Sequence, residues 1–431
     1  MNHKQVVTSF LTADQQILLL RRSAKVGTHR GRWSAVSGYL EGNEAPFTRA
    51  LIEIREEVGL GEEQVNLIRP GEVLRAYDDE TDTVWVVHPF LFEAKSKTIR
   101  LDWENTEYVW TNPNDLSSYP TVPKLREVFD RVRRDLQTVP EPLSLTLRSV
   151  DDLTRDRVHG ASFLGRRAIE LLSAASLSSN AEDRDEFFSD LLLVALRLRK
   201  AQPGMAIIWN LVGRFLQLLD RERNKASSLA ELKRISAETG ERVVQAAKES
   251  SEDASRNSAH TLPQTGRVLT HSYSSAVLRS LELGMKSGKR FEVYATESYP
   301  GMEGKQLAKD LVAIGVPVKL IPDSAVGSII STVNFVLVGA DSVLRDGSLI
   351  HKAGTRRIAA IARKSGVRFR STCETMKFSV NDFLGESPEF AENLFDLTPS
   401  EYIEDFTTEV GRVEPDRVEE RLRDIVRETY P

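Results

Sequence analysis

Short runs of alternating apolar and polar residues fill the first third of the chain and predict a mixed sheet. The alternation indicates strands at 6–11, 16–21, 32–37, 73–77, 84–92 and 106–111. Helical spacing begins at Ala45 and ends at Gly59, a typical C-cap residue. A second amphipathic pattern at 122–136 predicts a helix that covers the sheet. We therefore expect residues 1–137 to form one α/β domain.

Helical spacing dominates the middle of the chain. A proline-containing linker is predicted at 138–144. Beyond it, apolar residues recur with a helical period over 145–156, 165–177, 183–198, 206–220 and 228–249. The polar stretch 248–265 is expected to be an exposed loop or a frayed helix end. These patterns predict a helical subdomain over 145–262.

Strands and helices alternate in the last third, which predicts a Rossmann-like, parallel α/β domain at 263–431. Strands are expected at 267–270, 291–296, 316–321, 333–338 and 367–372. Such sheets bind ligands at the carboxyl ends of their strands, where we expect a substrate-binding pocket. The polar residues predicted at those ends include His271, Ser272, Tyr273, Ser274, Ser275, Glu297, Asp323, Asp341, Cys373 and Glu374. The serines precede a helix, so they are either a phosphate cradle or only an N-cap.

The composition is that of a soluble globular protein with more than one domain. The chain has 431 residues, 28% charged residues and a formal net charge of −5, which argues against direct binding to nucleic acid or to anionic membranes. No apolar run reaches the roughly 18 residues of a membrane span. Cys373 is the only cysteine, which indicates a reducing compartment. We expect a cytoplasmic protein.

The helix predicted after Ala45 carries an acidic face. Glu53, Glu56 and Glu57 stand at i, i+3 and i+4, so their carboxylates lie close together. Like charges this close repel one another. A hard divalent cation such as Mg²⁺ or Mn²⁺ relieves the repulsion and also binds substrate phosphates. Most charge runs are solvated surfaces, so the spacing alone leaves both interpretations open.

The surrounding residues favour the metal site. Residues 38–60, GYLEGNEAPFTRALIEIREEVGL, resemble the box of the Nudix hydrolases, G-x5-E-x7-REUxEExGU, in which U is aliphatic. The resemblance implies an α/β/α sandwich with a mixed sheet and Mg²⁺ or Mn²⁺ as the cofactor. It also implies that Glu53, Glu56 and Glu57 are the catalytic and metal-binding residues. Glu44 would be the leading acid of the box.

The chain departs from this box at one position. Ile52 replaces the box arginine, which helps to orient the glutamates. Arg49, one turn before Glu53, is a partial substitute, because residues four apart on a helix meet. An additional metal ligand is expected from one of three acidic residues, among which the sequence does not choose: Glu93, Asp102 and Glu107.

Six blocks in the second half resemble another family. They are THSYSSAV (270–277), TESYPGMEGKQLAKDL (296–311), DSAVGSII (323–330), VGADSVLRDGSLIHKAGT (338–355), CETMKF (373–378) and DLTPSEYIEDFTTEVG (396–411). The family includes the α, β and δ regulatory subunits of translation initiation factor 2B, archaeal ribose-1,5-bisphosphate isomerase and methylthioribose-1-phosphate isomerase. The resemblance covers about 145–431. It implies a helical subdomain on a Rossmann-like domain, and a homodimer or higher homo-oligomer.

The resemblance also implies that the isomerase site is degenerate. The isomerases use a cysteine of a T-H-C-N block with the aspartate of a D-S/N block, and these positions are Ser272 and Asp323 here. A serine hydroxyl without a base is a poor proton donor and acceptor near neutral pH. Lys352 and Glu297 remain as substrate-binding residues. Four residues of the family's blocks, three of them arginines that grip phosphate, are replaced by His159, Gln202, Tyr299 and His351.

These features leave three hypotheses. The favoured one is a Mg²⁺-dependent hydrolase of a nucleoside diphosphate derivative, fused to a domain that binds a sugar phosphate or nucleotide and dimerises. The second is a sugar-phosphate isomerase in which Asp323 works with Ser272 or His271. The third is a non-enzymatic scaffold like a translation initiation factor, whose Nudix module only binds nucleotide.

Overall fold

The computed structural model describes residues 2–40, 46–78, 82–133, 141–222, 225–385 and 389–429. Contacts divide the chain into two units: Met1–Pro140 with Ala181–Leu192, and Glu141–Asn180 with Leu193–Pro431. The predicted domain limits stay a prediction. Within the described ranges, no helix is both long enough and apolar enough to cross a membrane.

A mixed sheet is the centre of the first unit. Its elements within residues 1–140 are β1 (Asn2–Ala13), β2 (Gln16–Arg22), β3 (Trp33–Ser34), β4 (Val36–Tyr39), α1 (Pro46–Val58), β5 (Val65–Pro70), β6 (Leu74–Asp78), β7 (Thr83–Ala94), β8 (Asn105–Thr111) and α2 (Leu125–Arg133). Strands β1 and β7 run parallel. β1 is also antiparallel to β2 and β4, and β7 is antiparallel to β5 and β6.

Helices α1 and α2 cover opposite faces of this sheet. Ile54 and Val58 of α1 are buried in one apolar cluster with Val7, and Phe129 of α2 is buried in another with Phe10. Side chains at odd and even positions of β1 point to opposite faces, so the two clusters lie on the two sides of the sheet. The predicted sandwich with a mixed sheet is confirmed.

Local sequence signals explain where α1 ends, but they do not indicate strand β5. Gly59 has a φ of +71°, the left-handed conformation that ends helices and favours glycine. The sequence pattern did not indicate β5, because only Val65 of its residues is buried and no apolar alternation appears. The predicted box acid Glu44 lies outside the described residues.

Helices form the beginning of the second region, as predicted. They are α3 (Glu141–Arg155), α4 (Ala161–Ser178), α5 (Arg184–Ala201), α6 (Ala206–Glu222) and α7 (Leu229–Thr261). Helix α3 begins inside the predicted linker, so residues 141–144 are helical, and 138–140 lie outside the described part of the chain.

The prediction of a loop or frayed end at 248–265 is wrong, because α7 continues to Thr261. Small residues on this part of α7 are buried, including Ala254, Ser255 and Ala259, and they allow close packing against the next helix. The ammonium of Lys289 donates hydrogen bonds to the carbonyl oxygens of Ala259, His260 and Leu262 at 2.6–2.9 Å. Tertiary contacts therefore extend a helix that looks polar in sequence.

The remaining residues form the predicted parallel α/β domain. Its elements are β9 (Thr265–Thr270), α8 (Ser275–Lys286), β10 (Arg290–Thr296), α9 (Glu303–Ala313), β11 (Val318–Ile321), α10 (Val326–Ile329), β12 (Phe335–Val338), β13 (Ser342–Val343), β14 (Leu349–Lys352), α11 (Thr355–Lys364), β15 (Arg368–Thr372), α12 (Val380–Phe383), β16 (Phe395–Thr398), β17 (Asp405–Thr408), β18 (Gly411–Val413) and α13 (Val418–Thr429).

The main sheet of this domain has the order β11-β10-β9-β12-β15-β17-β18. Its strands are parallel from β11 to β17, and β18 is antiparallel to β17. The Rossmann-like prediction is confirmed. A small antiparallel sheet of β13, β14 and β16 was not predicted, since strands of two to four residues show no period.

Candidate functional site

Helix α1 carries the three predicted catalytic carboxylates, and Glu57 is buried. One of its carboxylate oxygens accepts a hydrogen bond from the backbone N–H of Ser37 at 2.8 Å. The other accepts one from the side-chain amide of Asn105, also at 2.8 Å. Ser37 belongs to β4 and Asn105 begins β8, so two strands fix the orientation of this carboxylate.

Burial, and to a smaller extent the charges of neighbouring carboxylates, favours the neutral form of the acidic residues around α1. Burial raises the pKa of Glu57 to about 8. Burial also raises the pKa of Glu53 to about 7, and the charges of Glu56 and Glu104 add to the rise. The pKa of Glu104 is raised by burial and by neighbouring carboxylates. A cation among these groups would lower all three pKa values.

Glu53 lies directly against the backbone of Gly38. A Cβ atom at position 38 would be 1.7 Å from Oε1 of Glu53, so only glycine leaves room for this carboxylate. Nη1 of Arg49 is 3.3 Å from the same oxygen, which is the i,i+4 contact predicted to compensate for Ile52. Ile52 itself is 36% exposed. The contact is present, and its role in catalysis stays a prediction.

The candidates for an additional ligand differ in their surroundings. Glu107 forms an ion pair with Arg21, with 3.0 Å between Oε2 and Nη1. Glu93 is exposed on β7. A carboxylate oxygen of Asp102 accepts a hydrogen bond from the backbone N–H of Glu104 at 3.0 Å. Asp102 therefore shapes the loop before β8.

Sequence reasoning missed Glu104. Its charge raises the pKa of both Glu53 and Glu57, so it belongs to the same electrostatic cluster. The available signal was its place directly before a predicted strand, in a short acidic segment that begins at Asp102. Because Glu104 lies directly before β8 and next to α1, we expect its carboxylate to bind the same cation.

The donor set fits a hard divalent cation, although the side chains are not arranged as a finished site. Within the described ranges, no group of three His, Cys, Asp or Glu residues is positioned to hold a metal ion. The cluster consists of oxygen ligands, which Mg²⁺ and Mn²⁺ prefer. Burial, with a smaller contribution from mutual repulsion, raises the pKa values of Glu53, Glu57 and Glu104, and a bound cation would offset both effects by stabilising the ionised carboxylates.

The second unit contains a pocket of about 510 Å³ at the carboxyl ends of β9, β10 and β11. Of the predicted pocket residues, His271 and Asp323 line it. The other lining residues are Tyr299, Pro300, Val326, Ala353, Gly354, Arg357, Ile358, Ile361 and Asn393. The wall is therefore mostly apolar, with a few polar groups, as is usual for small-molecule sites.

His271 is buried, and each of its ring nitrogens forms a hydrogen bond within the chain. Nε2 lies 3.0 Å from the carbonyl oxygen of Ala353, which can only accept, so Nε2 carries the proton. Nδ1 lies 2.6 Å from the hydroxyl of Thr296. Burial lowers the pKa of His271, so the ring is neutral. A ring held in this way has no free nitrogen to act as a base for a substrate.

The carboxylate of Asp323 is also hydrogen-bonded on both of its oxygens. Its two carboxylate oxygens accept hydrogen bonds from the backbone N–H groups of Ser298 and Tyr299, at 2.9 and 2.8 Å. The backbone N–H of Ser272 in turn donates to the hydroxyl of Ser298 at 2.6 Å. Both serines have a φ of +65°. Asp323 therefore braces the strand-end loops of the pocket.

The remaining predicted pocket residues point to other partners. The hydroxyl of Tyr273 donates to Asp310 on α9 at 2.9 Å, and its pKa is raised to about 12, mainly by burial. Ser274 is the N-cap of α8 and accepts from the N–H of Val277 at 3.3 Å. Ser275 begins α8 and is exposed. Ser274 therefore caps α8, and the binding of phosphate by these serines stays a prediction.

Two charged residues that were predicted for the pocket, Lys352 and Glu297, form ion pairs within the chain. The ammonium of Lys352 contacts a carboxylate oxygen of Glu303, and Glu297 pairs with Lys305 at 3.4 Å. Burial raises the pKa of Asp341 to about 6. Lys352, the cation expected to remain for phosphate, is therefore largely neutralised by its own chain.

The residues that replace the family's block residues have structural partners. The ring of His159 stacks on Phe163, with centroids 4.1 Å apart. The side-chain amide of Gln202 donates to three backbone carbonyls at 3.0 Å. His351 is buried, and burial holds its pKa well below its usual value. Tyr299, by contrast, is 72% exposed at the pocket.

Two family models match the chain. The model of the Initiation factor 2 subunit family matches residues 157–392, and the model of the NUDIX domain matches residues 1–132. A putative translation initiation factor eIF-2B subunit 2-like protein of Pyrococcus abyssi is 31% identical over 63% of this chain and 97% of its own length. A ribose 1,5-bisphosphate isomerase of Methanocaldococcus jannaschii is 29% identical over 60% of this chain and 88% of its own length.

Solved structures support the same fold for the second half. The translation initiation factor eIF-2B of Pyrococcus horikoshii superimposes with a TM-score of 0.54 at 26% identity, over 65% of this chain and 99% of its own. The 5-methylthioribose 1-phosphate isomerase of the same organism gives a TM-score of 0.51 at 21% identity, over 66% of this chain and 87% of its own. At that identity the second similarity concerns the fold alone.

Proposed function

The chain belongs to the Initiation factor 2 subunit family and carries a NUDIX domain at its N-terminus, and on this basis we propose a Mg²⁺-dependent hydrolase with a ligand-binding second half. The NUDIX domain supports a hydrolase. The substrate we propose is a nucleoside diphosphate linked to a second group. The observation that carries this proposal is the cluster of carboxylates with raised pKa values around Glu57 and Glu53.

We assign a role to each of the three carboxylates of α1. Glu57 is held on both oxygens by Ser37 and Asn105, which suits a ligand that must not move. Glu56 is the second ligand proposed for the cation. Bound there, Mg²⁺ or Mn²⁺ supplies positive charge that neutralises the diphosphate. Glu53, whose carboxylate lies against Gly38 and next to Arg49, is the proposed general base.

The proposed reaction is hydrolysis at a phosphorus atom. Glu53 accepts a proton from water, and the water oxygen forms a bond to one phosphorus of the diphosphate. The bond from that phosphorus to the bridging oxygen breaks, and the bridging oxygen leaves with the other phosphate. The products are a nucleoside monophosphate and the phosphorylated second group.

The test is a substrate panel on the full chain. ADP-ribose, nucleotide sugars and dinucleoside polyphosphates are incubated with and without Mg²⁺ or Mn²⁺, and released phosphate monoesters are measured. We expect cation-dependent turnover of at least one substrate and its loss in Glu56→Gln. Turnover that survives Glu56→Gln, or no turnover of any substrate, would overturn the hydrolase proposal.

For the second half we propose binding of a phosphorylated small molecule without isomerisation. The supporting observations are the serine at position 272 and the engagement of His271 and Asp323 by their own chain. The similarity to ribose 1,5-bisphosphate isomerases makes isomerase activity the alternative. Aldose–ketose conversion that is lost in Asp323→Asn but kept in Glu56→Gln would establish that alternative.

We also propose that the chain forms a homodimer or higher homo-oligomer through its Rossmann-like domain. The support is the Initiation factor 2 subunit family match and the similarity to a tetrameric eIF2B-beta2-delta2 complex from C. thermophilum, with a TM-score of 0.57 at 20% identity. Sedimentation analysis checks this directly. A monomer at micromolar concentration would contradict it.

A further inference from the structure

The segment that connects β2 to β3 concentrates positive charge. Residues 21–32, RRSAKVGTHRGR, contain five arginine or lysine residues and no aspartate or glutamate. We call these residues the basic loop. The whole chain has a formal net charge of −5, so the charge of this loop is a local feature that the overall composition conceals. A surface cluster of one sign attracts ligands of the opposite sign.

Backbone hydrogen bonds and a buried anchor order the basic loop. The N–H of Arg22 donates to the carbonyl oxygen of Arg32 at 3.0 Å, and the N–H of Gly31 donates to the carbonyl oxygen of Arg22 at 2.9 Å. Val26, in the middle of the loop, is buried. Nε of Arg30 donates to the carbonyl oxygen of Val26 at 2.9 Å. The loop therefore presents its cations from a defined backbone.

Three exposed cations of the basic loop are not neutralised by carboxylates. Within the part of the chain that the structure describes, Lys25, Arg30 and Arg32 form no ion pair. The guanidinium groups of Arg30 and Arg32 donate to backbone carbonyl oxygens, which carry no formal charge. Arg21, by contrast, pairs with Glu107. The charge of the three unpaired side chains is therefore available to an anionic ligand.

The basic loop begins beside the carboxylates of the proposed metal site. The backbone N–H of Ser23 donates to the carbonyl oxygen of Glu104 at 2.7 Å. Asn105, the next residue after Glu104, donates from its side chain to the carboxylate of Glu57. A diphosphate held by a cation at these carboxylates would therefore have the basic loop next to it.

An exposed tryptophan lies at the same edge of the carboxylate cluster. Trp103 directly precedes Glu104 and is 60% exposed. Its backbone is fixed on both sides, because the N–H of Asp102 donates to the carbonyl oxygen of Glu57 at 3.3 Å and a carboxylate oxygen of Asp102 accepts from the N–H of Glu104. A tryptophan ring exposed next to a phosphate site offers a face on which a nucleobase can stack.

These two features together favour one class of ligand. A diphosphate linked to a neutral sugar has its charge at the metal site and would leave the three cations of the basic loop without a partner. A longer phosphate chain carries further negative charges to these cations, and a nucleobase at its far end supplies the ring that Trp103 can stack on. A polynucleotide has phosphates and bases too, but the net charge of −5 opposes the approach of a long polyanion.

We propose that the basic loop and Trp103 bind and select dinucleoside polyphosphates, in which more than two phosphates join two nucleosides. Lys25, Arg30 and Arg32 bind the phosphates beyond the cleaved bond, and Trp103 stacks on one base. The inference rests on the proposed hydrolase function and specifies its substrate. Both features lie outside the Nudix box at 38–60, so the box by itself does not identify this ligand.

Calorimetric titration of the full chain in EDTA tests the inference without turnover. The probes are diadenosine tetraphosphate, diadenosine diphosphate, inorganic tripolyphosphate and a 5′-triphosphorylated hexanucleotide. We expect the diadenosine tetraphosphate to bind at least about fivefold more tightly than each of the other three, because only it offers both a short phosphate chain and two bases. Raising the ionic strength should reduce its advantage over the diphosphate, because exposed charges are screened.

The double variant Lys25→Met/Arg30→Met should lower the affinity for diadenosine tetraphosphate by about tenfold or more, and that for diadenosine diphosphate by less. The matched control is Lys95→Met/Lys97→Met, which removes the same charge outside the basic loop. Lys97 pairs with Asp14, next to the turn between β1 and β2 and thus at the opposite end of β2. An equal loss of affinity in the two double variants would overturn the inference, because only net charge would then matter.

The stacking contact has its own test. Trp103→Ala should weaken the binding of diadenosine tetraphosphate by about fivefold, and Trp103→Phe by less, because a smaller ring still stacks. Equal affinity for the two diadenosine compounds, or tightest binding of tripolyphosphate or of the hexanucleotide, would overturn the inference. Hydrolysis is measured on the same preparation. Turnover without binding that depends on the basic loop overturns only this inference, and such binding without turnover overturns only the hydrolase proposal.

Discussion

Asn105 donates a hydrogen bond of 2.8 Å from its side-chain amide to the carboxylate of Glu57, a residue 48 positions earlier in the chain. Both side chains are buried. The bond joins the start of β8 to the last turn of α1, so it ties the proposed catalytic helix to the sheet. It also leaves Glu57 with a donor on each of its oxygens.

Replacing Asn105 with alanine should destabilise the first unit. One oxygen of a buried carboxylate loses its donor, which costs about 1–3 kcal/mol. Urea unfolding followed by tryptophan fluorescence measures the change. Asn66→Ala, at an exposed position of β5, is the control and should change the unfolding free energy by less than about 0.5 kcal/mol. Equal stability of the two variants would contradict the structural role of this bond.

The pKa of Glu57, raised to about 8 by burial, predicts a pH dependence. In the folded state Glu57 keeps its proton up to about pH 8, whereas in the unfolded chain it ionises near the usual glutamate pKa of 4.5. The folded state therefore binds more protons in this interval, and the contribution of Glu57 to stability falls as pH rises from about 5 to 8.

Thermal unfolding in EDTA between pH 5 and pH 9 checks this linkage. Other groups titrate in the same range, and the buried His271 and His351, whose pKa values are lowered, give the opposite slope. The informative quantity is therefore the difference between wild type and Glu57→Gln. Relative to the variant, wild type should lose stability as pH rises, and added Mg²⁺ should reduce that loss. A difference that does not vary with pH would contradict the buried, protonated Glu57.

Glu104→Gln should weaken the use of Mg²⁺. Glu104 raises the pKa of Glu53 and Glu57, and we expect its carboxylate to help hold the cation. The variant should need about tenfold more Mg²⁺ for half-maximal hydrolysis, as for other changes next to a metal site. Glu107→Gln is the control, since Glu107 pairs with Arg21 at the surface. A shift of the same size in both variants would show that only net charge matters.

Gly38→Ala should impair catalysis through Glu53. The new Cβ atom would be 1.7 Å from Oε1 of Glu53, so the carboxylate must move by more than 1 Å. A displacement of this size costs about 100-fold in rate, and the value of kcat measures it. Gly27→Ala, with no atom within 4 Å of the added carbon, is the matched control. Full activity of Gly38→Ala would show that catalysis does not depend on this position of the Glu53 carboxylate.

Lys289→Met should destabilise the second unit by about 2–3 kcal/mol, because three carbonyl oxygens at the end of α7 lose a charged donor. Urea unfolding or hydrogen exchange at 254–262 measures the effect. Lys286→Met removes an exposed ammonium that pairs with Glu282 and should cost no more than about 0.5 kcal/mol. Unchanged protection of these residues in Lys289→Met would show that α7 does not depend on this contact.

The elements with a strong local period were predictable. The apolar stripe of α1, its end at Gly59 and the alternation of strands and helices after Gly266 all appear where the sequence indicates them. The grouping of Glu53, Glu56 and Glu57 also follows from helical spacing. These features depend on residues within one or two turns of each other.

Other features depend on residues far apart in sequence. The burial of α7 beyond residue 249 depends on small residues that meet other elements, so its polar composition is misleading. The hydrogen bonds of His271 and Asp323 and the ion pair of Lys352 could not be inferred either, because their partners lie in distant segments of the chain.

The sequence by itself determined the type and order of the elements and the acidic face of α1, because helical and strand periods act over a few residues. Only the tertiary structure decided the electrostatics of that face and the pairing of the charged groups around the second pocket. The pKa of Glu57 depends on its burial between strands, and the neutralisation of Lys352 depends on Glu303, which the fold brings near it from another element. Burial and long-range pairing are properties of the packed chain, and no local pattern encodes them.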